Sequence, residues 1–582
     1  MPQIPRTGLR LLLTLLALGA AQAALPVKEV MLDNGMRFLF IEDHTSPSFM
    51  GAWVAHVGSS NEIPGQTGLT HLLEHMMFKG SKVIGTKDLQ KDLDLIARQE
   101  ELKERIRQRS RTLREEVRQG RVASLKEAQE ADTLCRRLEA EFQQLVVEQR
   151  DNMIPNEFDQ IMQKNGELFG NAFTSDDMTA YFNVLPANKL ELWFWLESDR
   201  LTNPVFRELY AERDVVYEER RMRTESTPTG MHEEAVNSIF WQASPYHWPI
   251  IGWASDVSEL SMAQAQDYYH RWYGPGNVTG IVVGDFKTDE AVQLARRYFG
   301  RMEARQDPPP VVTLEPRQIG ESRYVGAADV NPTVNFRYHC GGFKHVDSGV
   351  LEVIASLLNG DTGRLQRKLV QDGKTAVQAY AYYERKKLEG AFQVEAEAAG
   401  DISNQELEAA LDAEVLRLAT EDVPERELQK VKNGWLTNAY REQQNPIRAA
   451  FTLIENAGMG DWREQEAYAK RIQAVTAADI KRVAGGLLKP ENRLVTWWVR
   501  KDGAAPSPEA AALATLPAEL QGPARMALAQ IKQVGDPAQL AAMRAQLASQ
   551  TPEDEQEKAF VGFLLQSVDA RLEALKAEGA PK

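Results

Sequence analysis

Strand-forming residues gather with little polar interruption at Met36 to Ile41 and Phe49 to Val57, whereas Leu69 to Phe78 carries its apolar residues at helical spacing. The pattern predicts two strands and then a buried helix, the opening of a mixed α and β fold. From Lys87 to Arg150 the character changes to dense charge around two apolar stripes with three- and four-residue steps. Leu89, Leu93, Ile96, Leu102, Ile106, Leu113 and Val117 mark the first stripe; Leu125, Ala128, Ala131, Leu134, Leu138, Phe142 and Leu145 mark the second. Gly120 falls between them, and a lone stripe would stay exposed, so two antiparallel helices forming a projecting hairpin are expected.

Alternation resumes beyond the hairpin, with Ile281 to Phe286 reading as a buried strand that closes at Gly284-Asp285. The run 305–310 holds consecutive prolines and reads as a stiff linker. A strand at Thr333 to Tyr338 and a helix at Val350 to Leu358 then begin a second half. The expected organisation is a leader at 1–23, a first α+β half at 24–304 that holds the hairpin at about 87–150, a second α+β half at 311–503, and an alanine-rich helical tail at 504–582.

A chain of 582 residues exceeds one ordinary core and calls for more than one domain. Its net charge of -15 argues against a nucleic-acid partner, because phosphate binders need a positive surface. Arg6 and Arg10 precede an apolar run from Leu11 to Leu18 and the small-residue end Ala21-Gln22-Ala23, the pattern of a cleaved secretory signal. That run is shorter than a membrane helix requires, so an exported, periplasmic or secreted protein without stable membrane insertion is expected. Cys135 and Cys340, far apart in the sequence, give no support to cysteine-based catalysis or a cysteine metal site.

The chemistry concentrates in His71-Leu72-Leu73-Glu74-His75. Imidazoles one helical turn apart share a face and can reach one tetrahedral ion, and Glu74 beside them can accept a proton from metal-activated water. A hydrolytic zinc wants a third protein ligand. The helical stretch Glu208 to Glu225 offers Glu212 and Glu219, two turns apart on one face, and spacing alone does not choose between them.

The run Gly68-Leu69-Thr70-His71-Leu72-Leu73-Glu74-His75-Met76-Met77-Phe78-Lys79-Gly80 resembles the signature of the pitrilysin/insulinase family, especially the branch of the mitochondrial processing peptidases and their bacterial relatives. Leu32-Asp33-Asn34-Gly35, Asn171-Ala172-Phe173-Thr174, Thr179-Ala180-Tyr181-Phe182, Asp199-Arg200-Leu201 and Glu212-Arg213-Asp214-Val215-Val216 follow in the family's order, so the resemblance covers roughly residues 26 to 500. It implies a clamshell of two similar α+β halves and one Zn2+ per chain, held by His71, His75 and Glu219. Glu212 would support that site, Glu74 would be the general base, and Asn171 and Ala172 would lie on an edge where an extended peptide adds as a strand.

Two departures stand out. The hairpin separates His75 from the glutamates more widely than is usual in the family. In the second half, an arginine and a tyrosine that hold substrate in many members align with Val370 and Val377. In two-subunit members the metal-free partner supplies that pair, so the resemblance implies the zinc-bearing subunit of a heterodimer, with a homodimer as the other arrangement. A zinc endopeptidase acting on peptides or small unfolded proteins is therefore expected; the alternative is a non-catalytic peptide-binding or assembly subunit of the same fold.

Overall fold

The two halves of the chain build sheets of the same topology. The computed structural model describes residues 25–501 and a discontinuous set between 512 and 578. The first sheet contains β1 (Lys28–Met31), β2 (Arg37–Glu42), β3 (Ser48–Ala55), β4 (Phe169–Thr174), β5 (Thr179–Pro186) and β6 (Val278–Gly284) in the order β1-β2-β6-β3-β5-β4. The second contains β7 (Ser322–Ala328), β8 (Thr333–Gly341), β9 (Ala376–Arg385), β10 (Glu389–Ala398) and β11 (Arg493–Arg500) in the order β7-β11-β8-β10-β9. With β1 set aside, β2 to β6 and β7 to β11 pair in the same sequence. The β2/β6 and β7/β11 pairs are parallel and the remaining pairs antiparallel. The fold is α+β, two similar halves clasped as a clamshell.

Strand β3 reads as an unbroken apolar run because both of its faces are covered. Phe49 and Trp53 enter the main core of the first half, while Met50, Ala52 and Val54 face the other way, into a separate cluster with Ala450, Leu453, Ile454 and Ala457. Those last four belong to the helix Pro446–Gly458 of the second half. The reciprocal contact comes from the first half's helix Gly230–Phe240, whose Val236 and Phe240, with Trp241, pack on Ala391, Leu494 and Trp498 of the second sheet. Each half thus lends a helix to the other. At roughly 1.5–3 kcal/mol per large apolar side chain removed from water, this exchange holds the halves together. Polar contacts complete the clasp: Asp177 accepts from Lys387 N at 2.9 Å, and Lys386 Nζ lies 2.5 Å from Asp176.

The inserted hairpin has the expected helical arms but does not project. Its first arm is the helix Leu89–Arg118, and its return is broken into Leu125–Ala131 and Thr133–Asn152. Asp132 makes the break by accepting from Leu134 N and Cys135 N, which starts a new helix there. Leu95, Leu102, Leu138, Phe142 and Leu145 join the core of the first half, and Phe142 meets Tyr210 edge to face. The apolar stripes are wide enough to serve both the partner arm and the body, so the hairpin lies along the first half.

The stretch 303–319 has no regular secondary structure and is longer than the proline run suggested. Glu315 pins it, accepting from Gln242 N, Ala243 N and Ser244 N at 2.8–2.9 Å. Helices Pro537–Ala548 and Glu555–Glu578 lie in the tail. Both cysteines are free, and no helix among the described residues is long and apolar enough to cross a membrane. The expected leader at 1–23 lies outside the described residues.

Candidate metal centre

The helix Leu69–Met76 sets Leu69, Leu72, Leu73 and Met76 into the core and turns His71, Glu74 and His75 to the other side, as a 3.6-residue period requires. Gly68 begins it at φ +85°, where a Cβ would stand 2.5 Å from Ile251 O. The buried Glu62 caps the helix, accepting from Gly68 N at 2.8 Å and Thr70 N at 2.7 Å. Alongside runs the helix Leu209–Arg220, which carries Glu212 and Glu219. Its last residue, Arg220, is buried, pairs with Glu234 and donates to Gly252 O at 2.9 Å, tying the two helices to one loop.

The structure brings three of the expected residues to one point. Glu219 Oε2 lies 3.7 Å from His71 Nε2 and 3.6 Å from His75 Nε2, and one donor atom from each of the three residues lies within 4.8 Å of the others. Ligand atoms about 2.1 Å from a tetrahedral ion stand about 3.4 Å apart, so the spacing suits a shared ion better than hydrogen bonds. Two imidazole nitrogens and one carboxylate oxygen form a donor set that fits zinc and leaves a fourth position free. Glu212 faces outward from this point: its Oε1 lies 3.0 Å from His75 Nδ1 and its Oε2 2.5 Å from Lys79 Nζ. Donation from His75 Nδ1 to that carboxylate leaves the Nε2 lone pair toward Glu219.

The electrostatics set Glu74 and Glu212 apart. Burial raises the pKa of Glu74, opposed by the hydroxyl of Thr174, which donates to its Oε2 at 2.5 Å. Burial would also raise Glu212, but donation from His75 and Lys79 outweighs it and holds this carboxylate at about 2. Burial lowers His71 to about 3, keeping it neutral, whereas for His75 the hydrogen bond it donates to Glu212 overcomes burial and raises the pKa. Glu219 also meets Arg223, whose Nη2 lies 2.8 Å from Oε1. A proton acceptor of raised basicity therefore stands next to a three-donor cluster whose histidines are set as ligands.

Asn171 and Ala172 lie on β4, the outer strand of the first sheet, with Asn171 exposed and Ala172 half-buried. The same strand ends at Thr174, so its edge runs up to Glu74. Val370 and Val377 are half-buried in the second half, in the π-helical segment Gln366–Asp372 and at the start of β9. Sequence reading gave no role to Lys79, Thr174, Arg220, Arg223 or Glu62. Lys79 stands one helical turn beyond His75, and Arg223 one turn beyond Glu219, a spacing that could have marked both. Nothing local marks Thr174, which reaches Glu74 across 100 positions of sequence.

Comparison with known proteins bears on the family and the fold. Residues 37–99 and 149–253 match the insulinase (peptidase family M16) model, and residues 259–434 match the peptidase M16 inactive domain. The chain is 24% identical over 489 residues to the zinc protease PqqE of Helicobacter pylori, spanning 82% of this chain and 94% of that protein. In fold it resembles the crystal structure of a protease from Helicobacter pylori, with a TM-score of 0.66, 22% identity, and coverage of 82% of this chain and 100% of the other. It also resembles the periplasmic protease PqqL from Escherichia coli, with a TM-score of 0.62, 20% identity, and coverage of 84% of this chain but 50% of that one.

Proposed function

Because this chain belongs to the pitrilysin/insulinase family of zinc metallopeptidases, we propose that it is itself a zinc-dependent endopeptidase acting on peptides or small unfolded proteins. The observation that carries this reading is the convergence of His71, His75 and Glu219 on one point beside the buried carboxylate of Glu74. His71, His75 and Glu219 would hold the ion. A bound zinc supplies a Lewis acid and brings the pKa of water toward neutrality.

The remaining work falls to this chain's own residues. Glu74 takes a proton on its carboxylate from the attacking water and delivers it to the leaving amine, a role its raised pKa suits. Thr174 fixes the carboxylate through its 2.5 Å contact with Oε2. Glu212, held by Lys79, orients the ring of His75. The outer strand β4, with Asn171 and Ala172, receives the substrate in extended form through main-chain hydrogen bonds.

The valines at 370 and 377 support a divided active site, in which a homologous subunit or a second copy supplies the substrate-holding pair. The apolar run and small-residue end at the N-terminus support export to the periplasm, where that relative is placed by its description. The same two valines, with the match to an inactive domain over 259–434, favour a second reading as a peptide-binding subunit without turnover.

Cleavage of a quenched fluorescent peptide by the mature chain, alone and with its homologous partner, distinguishes the readings. Chelator-sensitive turnover that Glu74→Gln lowers at least about a hundredfold establishes the peptidase. Bound zinc with no turnover in either condition establishes the binding subunit.

A further inference from the structure

Residues 100–148 fall between the two parts of the insulinase match, so the body of the hairpin is additional to the family's peptidase unit, while its root, with Asp92, Gln99 and Gln149, lies within the match. It enters and leaves at one place. Thr86 forms an antiparallel bridge with Met153, Lys87 N donates to Asn152 O at 2.9 Å, and Ile154 N donates to Gly85 O at 3.0 Å.

At this root lies a fully buried ion pair. Arg207 Nε donates to Asp92 Oδ2 at 2.6 Å, and both side chains have no solvent exposure. The rest of the guanidinium clamps the loop that follows the histidine helix. Nη1 donates to Lys79 O and Ile84 O, each at 3.2 Å, and Nη2 to Ser81 O at 2.7 Å. Gly80, at φ +93°, lets the loop close this tightly; a Cβ there would stand 2.4 Å from Ile84 O. The other oxygen of Asp92 accepts from Gln149, which accepts from Gln99 at 2.9 Å, so both arms of the hairpin meet at this carboxylate.

A buried guanidinium without a counter-charge is strongly disfavoured. The hairpin's carboxylate is therefore what allows Arg207 to sit where it holds the loop. The loop in turn carries Lys79, whose Nζ lies 2.5 Å from Glu212, and Glu212 lies 3.0 Å from His75. A second link runs from Glu100, which accepts from Tyr210 Oη at 2.5 Å, to the helix that bears Glu212 and Glu219.

We propose that the root of the hairpin positions the metal-binding cluster: Asp92, acting through Arg207, sets Lys79 and thereby the orientation of Glu212 and His75. The proposal rests on the zinc reading given above. The paired replacement Asp92→Leu with Arg207→Met removes the clamp while leaving no buried charge, so the fold is expected to persist. Zinc affinity is read by competition with a chromophoric chelator, ligand geometry by the visible spectrum of bound Co2+, and turnover by kcat and KM.

The paired variant is expected to keep the wild-type circular dichroism, to bind zinc about 10- to 100-fold more weakly, and to alter the cobalt spectrum. kcat should fall more than KM rises. Lys79→Met cuts the last link and leaves the buried pair intact. It should give the same loss, and wild-type zinc affinity in that variant overturns the proposal whatever the paired variant does. A wild-type chain that binds no zinc overturns the metal-centre reading and this one with it; equal zinc affinity in wild type and variants overturns only the hairpin's role.

Discussion

Glu212 Oε1 lies 3.0 Å from His75 Nδ1, on the side of the ring opposite Glu219. This contact fixes the tautomer and the plane of one metal-binding imidazole, and Lys79 fixes the carboxylate in its turn. Glu212→Gln keeps the shape and removes the charge. Zinc affinity, measured by competition titration, is expected to fall about 10- to 100-fold with little change in circular dichroism.

His56 bridges the halves, with Nε2 3.0 Å from Thr279 Oγ1 and Nδ1 3.3 Å from Gly458 O on the lent helix. Burial lowers its pKa to about 4, below the value of about 6.5 expected in the unfolded chain. Between those values the unfolded state binds a proton that the folded state does not. The stabilisation is therefore complete above about pH 6.5 and is lost as pH falls toward 4, by at most about 1.4 kcal/mol per unit. Chemical unfolding of wild type and His56→Gln across this range should show a shallower pH dependence in the variant.

Tyr246 donates its hydroxyl to Asp177 and accepts from Leu388 N at 2.9 Å, joining the turns of the two halves. Tyr246→Phe keeps the ring and leaves a buried carboxylate and an amide short of a partner. A loss of about 1–3 kcal/mol in urea unfolding is expected, with zinc affinity unchanged.

Strand addition at β4 makes its own prediction. A peptide N-methylated at alternate residues around the scissile bond cannot form the ladder, so KM should rise about tenfold or more relative to the unmethylated peptide. Equal KM for both peptides would place substrate binding elsewhere.

The local elements were legible in the chain. Strand runs at Met36 to Ile41 and Phe49 to Val57 appear as β2 and β3, and the helix at Leu69 to Phe78 appears as Leu69–Met76. The two stripes of the hairpin also form helices, because periodicity is a one-dimensional property that the chain carries within a few turns. The pairing of His71 with His75 is legible for the same reason. Spacing did not choose between Glu212 and Glu219, since both lie on one helix face, and it was the family resemblance that pointed to Glu219. Only tertiary packing turns Glu219 toward both Nε2 atoms and Glu212 toward Nδ1. The exchanged helices, the contact of Thr174 with Glu74 and the clamp of Arg207 on the loop after His75 likewise join positions far apart in sequence. Those meetings depend on how separate surfaces fit together, and no local spacing encodes that fit.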